Sequence, residues 1–442
     1  MSFFRNNLFI SIYFLIVFKN DKIVRVLKNV GYIFVYMNKK KLFYWSLYDF
    51  ANSVIYINFL LYFSQWLVIN GGLSDFWYNA IFAITSIILF ISAPTLAAFT
   101  DKYGGRKYLL NFSTIGTLLG YGFATILAYL YPQNIFVIAS FFLVGQYFYQ
   151  LSFVFYNALI DEVSDSEHRS RASGIGQFSN NLGQVIGLIM AIPLSVSRLQ
   201  PLFPSLVLFI LLALPMMIFF RDSKPKERKI DIKILVNGER EYFKKMFFFF
   251  STSVAIPVLA SLFFFNDAII TISNNYPIYM ERVFAVSDTT KNILLMGILF
   301  MSAVGGLISG KIADKIGEIK ILKYILISWI ILIPLIASSK GLISLSVYSI
   351  LMGSLIGPVW VVTRAYLSKL LKKEELSYGF SFYTLFERFS TLLGPLAWGG
   401  VLVGLGTQHT SYRIAMLSMT VFIMIGLAVL IKWNRLLTPL LS

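Results

Sequence analysis

Long apolar runs, broken by short polar stretches, organise this chain from end to end. A helix needs about 20 predominantly apolar residues to cross a bilayer. Twelve runs approach that length, at 43–68, 76–99, 108–130, 135–160, 173–195, 202–220, 250–280, 292–312, 321–339, 342–367, 379–404 and 412–431. The seventh is longer than one span requires, and Pro257 and Pro277 interrupt it. Pro257 either sits in the first turn of the true span or kinks a longer helix. The expected fold is all-α and integral to the membrane, with twelve transmembrane helices and both termini on one side.

The polar stretches carry a second pattern. The longest, Arg221 to Lys245, divides the body into six spans and six spans. The expected organisation is an N-terminal extension (1–36), a six-helix bundle (37–220), a linker (221–246) and a second six-helix bundle (247–442). DKYGGRK (Asp101 to Lys107) follows span two, and DKIGEIK (Asp314 to Lys320) follows span eight. Both fit D-K-x-G-x-x-K, separated by close to half the chain. The same loop at the same place argues for a duplicated bundle, with substrate near the midplane between the halves. Gly104 and Gly317 permit a sharp turn. Asp101, Arg106 and Lys107, and in the second copy Asp314 and Lys320, sit at headgroup level. Such groups can hold helix ends together in one state and release them in another. A capped basic turn is the simpler account of one copy; two matched copies favour gating.

Charge settles the expected orientation. Lys and Arg crowd the segment before span one and every second loop after it. Only Arg198, Arg282, Lys291, Lys340 and Arg413 fall on the other side. Basic loops stay in the cytoplasm, so both termini are expected there. The formal net charge of +17 thus records topology rather than a nucleic-acid partner. With 57% hydrophobic and only 13% charged residues, and a mean hydropathy of +0.73, the chain is excluded from the soluble classes. There is no Cys, and the only histidines are His168 and His409. Disulfides, thiolate chemistry and Cys/His metal sites are excluded, and no cofactor is expected.

The first 36 residues stand apart. Phe9 to Phe18 is too short to span and is followed, not preceded, by Lys19, Lys22, Arg25 and Lys28. That is not a signal peptide. Two readings remain: an interfacial helix, or a biological start at Met37, where Asn38 to Lys41 would cap span one on the cytoplasmic side.

The loop after span two resembles the signature of the major facilitator superfamily, D-[RK]-x-G-x-[RK]-[RK]. The Gly usual four residues before the Asp is Ala97 here, and Gly310 in the second copy. Trp45 to Ser53 (WSLYDFANS) resembles the first-span hallmark of one branch, the vacuole-effluxer-like, autophagy-associated family. Phe264 to Ile272 (FFNDAIITI) resembles its span-seven pattern, with Ala268 in place of a Gly. Arg169 to Gly174 with Leu182-Gly183, and Tyr378-Gly379, Tyr383 and Leu393-Gly394-Pro395, resemble spans five and eleven. The resemblance covers Met37 to Ser442 and implies a twelve-helix alternating-access carrier. Eukaryotic members of that family are associated with exporting amino acids from vacuoles.

Ionisable groups at membrane depth are costly and point to function by default. They are Asp49, Asp267, Arg364, Glu387 and Arg388. Asp49 and Asp267 occupy the first span of each half, a third to half of the way across. Either is a candidate for a coupling proton or a cationic substrate group; Asp49 with Asn52 and Ser53 could instead satisfy one another. Glu387 and Arg388 are adjacent, so a helix points them about 100° apart. Both cannot face one cavity, and partners on neighbouring spans are expected. Arg364, near the end of span ten, is expected to snorkel to the headgroups. In span four, Gln146, Gln150 and Asn157 share a face with cavity-lining character. Gln177, Asn180, Asn181 and Gln184 in span five share another, where Gly174, Gly176, Gly183 and Gly187 point to close packing. Asn266, Thr271, Ser273, Asn274 and Asn275 add amides and hydroxyls to span seven.

The function read from these features is secondary active transport of a small solute, an amino acid or other small metabolite, with a proton as the candidate coupling ion. No Walker loop is present, so ATP does not drive it directly. A monomer in the plasma membrane of a prokaryote is expected, with lipid as its surroundings. Two other classes compete: a polytopic enzyme on lipid-linked substrates, and a non-transporting receptor with a transporter fold. Short outer loops, and a large polar segment without a nucleophile–base set, weigh against the enzyme.

Overall fold

The computed structural model describes residues 39–164, 169–222, 244, 255–370, 383, 384 and 386–441. The N-terminal extension, most of the polar linker, the acidic loop at Asp165, Glu167 and His168, and Tyr378-Gly379 lie outside the described residues.

Twelve long helices lie among the described residues. The first half contributes α1 (Lys39–Asn58), α2 (Asp75–Tyr103), α3 (Arg106–Leu130), α4 (Ile135–Ala158), α5 (Arg169–Ala191) and α6 (Leu202–Phe219). The second contributes α7 (Ile256–Phe284), α8 (Asp288–Ile316), α9 (Glu318–Ala337), α10 (Leu342–Leu370), α11 (Leu393–Leu405) and α12 (His409–Leu441). Two π-helical turns, Phe59–Phe63 and Trp66–Asn70, prolong α1 into a span from Lys39 to Asn70. A short helical stub lengthens α11 into a span from Phe386 to Leu405. Span seven resolves its two alternatives: α7 begins with Pro257 in its first turn, where the missing N–H costs nothing.

Eleven of these helices are long and apolar enough to cross a membrane. The exception is α5, expected as an apolar run. Its amides Gln177, Asn180, Asn181 and Gln184 dilute its hydropathy, and it lies alongside α1. On α3, Phe112, Ile115, Leu119, Phe123 and Ile126 form an exposed stripe at helical spacing, a surface suited to lipid rather than water.

The internal repeat extends further than the basic loop. Ser74 caps α2 and Ser287 caps α8, each accepting a backbone N–H three residues on. An Asp follows each Ser, both helices run 29 residues, and both stop at a glycine with positive φ, Gly104 at 72° and Gly317 at 92°. Start and stop signals are thus repeated in register, which fixes two helices of equal length.

Within the first half α1 packs on α5 and α6, and α3 on α4; within the second α7 packs on α12, and α8 and α9 on α10. The halves meet mainly through α2 with α11, and α5 with α8. Missing side chains allow the closest approaches. A Cβ on Gly183 would strike the backbone of Phe50, and one on Gly187 would lie 2.8 Å from Ile57 Cγ2, so both hold α5 against α1. Gly353 and Gly357 on α10 face Ile298 and Ser302 on α8 in the same way. Gly174 has open space instead. Gly183→Leu should therefore force α1 from α5 at a cost of about 1–3 kcal/mol, lowering the melting temperature in detergent, while Gly174→Ala leaves it unchanged. Equal melting temperatures would contradict this packing.

Candidate functional site

Asp49 sits on the buried face of α1, 6% exposed. Tyr156 on α4 donates its hydroxyl to Oδ2 at 3.1 Å, and Asn180 on α5 donates its amide to Oδ1 at 3.0 Å. Both donors are themselves held. The Trp45 ring stacks on Tyr156 with centroids 4.5 Å apart, and its Nε1 donates to the Tyr156 carbonyl. Gln184 donates to the Asn180 oxygen at 2.7 Å. Tyr48, next to Asp49, is tied to Thr114 on α3 at 2.7 Å. The segment Trp45 to Ser53 is therefore one device: Trp45 orients the tyrosine that orients the carboxylate. Asn52, one turn on, is 1% exposed, and neither polar atom of its side chain has a protein partner. The span-five amides do pack between helices as expected, yet through Asn180 and Gln184 they also position Asp49. Neither Asn180 nor Tyr156 follows from local sequence spacing.

The second half faces this carboxylate with cations. Arg388 and Arg364 both lie within electrostatic reach of Asp49. Arg388 crosses between halves, donating from Nη1 to Gln150 Oε1 at 3.0 Å and lying 4.5 Å above the Phe153 ring. Its Nε is buried without a partner. Arg364 does not snorkel to the headgroups. It turns to Glu387 at 3.8 Å and to the Tyr383 ring, because a carboxylate on the neighbouring span is a closer anionic partner. Glu387 and Arg388 take separate partners, as their angular separation requires. Span four does not present one uniform face. Gln150 reaches Arg388. Gln146 accepts from Tyr121 at 2.6 Å and lines an aromatic recess with Tyr56, Tyr78 and Phe142. Asn157 is half-buried near the end of α4.

Asp267, fully buried on α7, has a different environment. Oδ2 accepts the backbone N–H groups of Leu393 and Gly394, at 3.0 and 2.8 Å. Oδ1 and the Thr271 hydroxyl are buried without partners beside Gly394. Asn266 donates to the Glu387 carbonyl and to Ser390. Asp49 and Asp267, a matched pair in sequence, thus serve dissimilar surroundings. Among the described residues no three His, Asp or Glu side chains are placed as metal ligands.

On the face opposite the termini, polar side chains join the halves. Lys291, with no exposed surface, donates to Gln65 Oε1 at 2.5 Å, to Asp288 at 2.9 Å and to Glu281. Arg198 binds Asp288 and Glu281 at 3.0 Å each, and Asn70 at 3.0 Å. Asn292 donates to Tyr62, and Asn79 and Asn275 exchange amide bonds at 3.0 and 2.8 Å. Tyr78 donates to the Asn274 carbonyl, and Tyr412 to Asp75. The Asn275 side-chain amide and the Asn274 backbone carbonyl of span seven therefore help to close this face. Lys291, read from sequence as a loop cation, lies in the first turn of α8 because two carboxylates and an amide replace its hydration. The structure is closed on this side.

The repeated basic loops act within each half. Arg106 donates to the Ala158 carbonyl at the end of α4, and Lys107 donates its backbone N–H to Asp222, just beyond α6, and its Nζ to the Ile218 carbonyl in the last turn of α6. In the second half Glu318 pairs with Lys369, while Asp314 and Lys320 are exposed. The side chain of Asp101 lies outside the described residues.

A family model identifies the family, and solved structures share the fold. The model of the Major Facilitator Superfamily matches residues 46–272 and 258–439. The MFS-type transporter YxiO of Bacillus subtilis (strain 168) is 22% identical over 415 residues, covering 87% of this chain and 93% of the relative. A protein of Aquifex aeolicus (strain VF5) is 25% identical over 363 residues, covering 80% and 87%. Among solved structures, the nucleoside transporter NupG superposes with a TM-score of 0.66 at 13% identity, over 90% of this chain and 100% of that one. A bacterial homologue of the human lysosomal transporter Spinster, inward-facing and unoccupied, also gives 0.66 at 13%, over 92% and 97%.

The closing contacts carry their own test. Lys291→Met leaves Glu281 and Asp288 with Arg198 as their one shared cation, two carboxylates against a single positive charge, and losing one partner of a buried ion-pair set costs up to about 3 kcal/mol. Because the chain has no Cys, a single Ser64→Cys substitution beneath Gln65 reports access cleanly. A water-soluble maleimide should label it about tenfold faster or more in the Lys291→Met background. Equal labelling rates would mean that these residues do not hold the face shut.

Proposed function

The chain belongs to the Major Facilitator Superfamily, and from that premise we propose that this multi-pass secondary transporter carries a small zwitterionic solute of the amino-acid kind. One observation carries the reading: an acid of the first half, Asp49, lies within electrostatic reach of two arginines of the second, Arg364 and Arg388, and Arg388 reaches back to Gln150 of the first. A solute with an ammonium and a carboxylate matches this set of charges. Asp49 takes the cationic end, and Arg388, whose Nε is buried without a partner, takes the anionic end. Asn52, with a free buried amide beside Asp49, adds a hydrogen bond. Gln150 shares Arg388 between halves, so a ligand there touches both, and its binding energy differs between their arrangements.

The hallmark segment Trp45 to Ser53 supports placement in the vacuole-effluxer-like branch. The basic loops support a cytoplasmic side for the termini face; on that reading the closed face is the outer one, and the carrier stands inward-facing in a prokaryotic plasma membrane, as a monomer. The repeated loops then keep each half rigid at its cytoplasmic end, through Arg106 and Lys107 in the first. A proton is the other cation that Asp49 can take, which couples its protonation to solute exchange. The membrane-enzyme and receptor readings find no comparable support.

Protein reconstituted in liposomes should show saturable uptake of amino acids. Removing a buried charge partner costs about 2–5 kcal/mol, so Asp49→Asn and Arg388→Gln should each raise KM roughly thirtyfold or more. Asp49→Asn should also flatten the pH dependence of flux. Unchanged KM in both variants, or uptake confined to solutes with a single charge, would overturn the reading.

A further inference from the structure

Span eleven is broken, and two adjacent residues of α7 bind the two sides of the break. Helical geometry holds from Phe386 to Phe389, lapses at Ser390 to Leu392 and resumes at Leu393. The cause is Pro395, which has no N–H to return to the Thr391 carbonyl and whose ring crowds that carbonyl. A break in hydrocarbon leaves backbone N–H and C=O groups without partners, several kcal/mol each if unmet. Asp267 takes the N–H groups of Leu393 and Gly394 on the far side. Asn266 gives its amide to the Glu387 carbonyl, and to Ser390, on the near side. Trp360 on α10 fixes Asn266 by donating to its oxygen at 3.1 Å. Gly394 is needed there: a Cβ would lie 2.7 Å from Asp267 Oδ1 and 3.0 Å from the Asp267 carbonyl.

The other half takes up what remains. Ser86 on α2 donates to the freed Thr391 carbonyl at 3.2 Å and touches the Thr391 hydroxyl. Arg388 sits on the stub between these anchors, with its side chain directed across to Gln150. Asp267 itself has no exposed surface and no cationic partner in its hydrogen-bond set. A negative group at the start of a helix is favoured by the helix dipole, and two N–H groups hold Oδ2 there, while Oδ1 has no hydrogen-bond partner.

We infer that Asp267 is a positioning residue: by holding the break in span eleven, it sets the place of Arg388 in the substrate space. This rests on Arg388 meeting the solute, as proposed above. It gives the two matched carboxylates different work, Asp49 touching solute and Asp267 aiming the residue that does.

Two readouts test it, one of them independent of any substrate. Ser86→Cys with Thr391→Cys, in a chain otherwise free of Cys, should cross-link readily under mild oxidation. Asp267→Ala should slow that cross-link severalfold, and Asp267→Asn, which keeps an acceptor for the N–H groups, should restore most of the rate. In transport, Asp267→Ala should raise KM about tenfold or more with a smaller loss of kcat. Asp267→Asn should recover much of the KM and leave the pH profile as in the parent. Asn266→Ala, which spares the carboxylate, should move both readouts the same way as Asp267→Ala. The inference is overturned if Asp267→Ala leaves cross-linking and KM at parental values, or if Asp267→Asn abolishes pH-dependent flux, which would make Asp267 the proton site. If Arg388→Gln leaves KM unchanged while Asp267→Ala still slows cross-linking, the solute assignment of Arg388 fails and the anchoring of the break stands.

Discussion

Hydrocarbon offers no hydrogen bonds, so a polar group carried into the membrane must find its partner in the protein. Most of the architecture can be traced to how this chain meets that demand. Asp49 recruits a tyrosine and an amide from two other helices, and Gly183 and Gly187 bring α5 close enough to deliver the amide. Asp267 recruits main-chain donors, which exist only because Pro395 interrupts a span. Lys291 recruits two carboxylates and an amide from both halves. In each case at least one partner comes from another helix, so satisfying the charge also fixes how the helices sit.

The same demand separates the two kinds of contact a carrier needs. Contacts that stay within a half, such as Arg106 to the end of α4, can persist through a cycle. Contacts that cross between halves must be exchangeable, and here amides, hydroxyls and ion pairs stand beside apolar contacts such as Phe90 on Phe389. Asn79 with Asn275, Tyr62 with Asn292 and Arg198 with Asp288 can each trade a protein partner for water when the halves part. Gln65 lies between the two π-helical turns of α1, donating to Leu61 and accepting from Lys291. Irregular turns of this kind recur at functional positions, and here they aim a buried amide at the opposing half.

The twelve helices and their duplication are legible in sequence because apolar run length, cap residues and basic loops are local signals. The paired Ser-Asp starts at Ser74 and Ser287, in register with the two basic loops, are equally local and sharpen the repeat. Much of the site is not local. Asp49 stands out as an acid inside a span, but Tyr156 and Asn180 lie 107 and 131 residues away, and only the packing of α4 and α5 on α1 brings them in. Arg364 looks like a snorkelling cation because it is close in sequence to Lys369; its actual partner, Glu387, is on another span. The break in span eleven leaves one mark, Gly394-Pro395, which reads equally as a helix start. What the break does depends on Asn266 and Asp267, a full domain half-length away in sequence.

The closed face holds a further consequence. Arg198 and Lys291 face Glu281 and Asp288, two positive charges against two negative. When the halves part, Arg198 of the first half leaves Glu281 and Asp288 of the second, and the separated charges pass into water, where dissolved ions screen them. Closure is therefore weakened by salt in the surrounding medium, while a neutral amide clasp such as Asn79–Asn275 is indifferent to it. The resting balance between the two access states becomes a function of the ionic strength on one side of the membrane, so the medium sets how readily the carrier opens to it before any solute arrives.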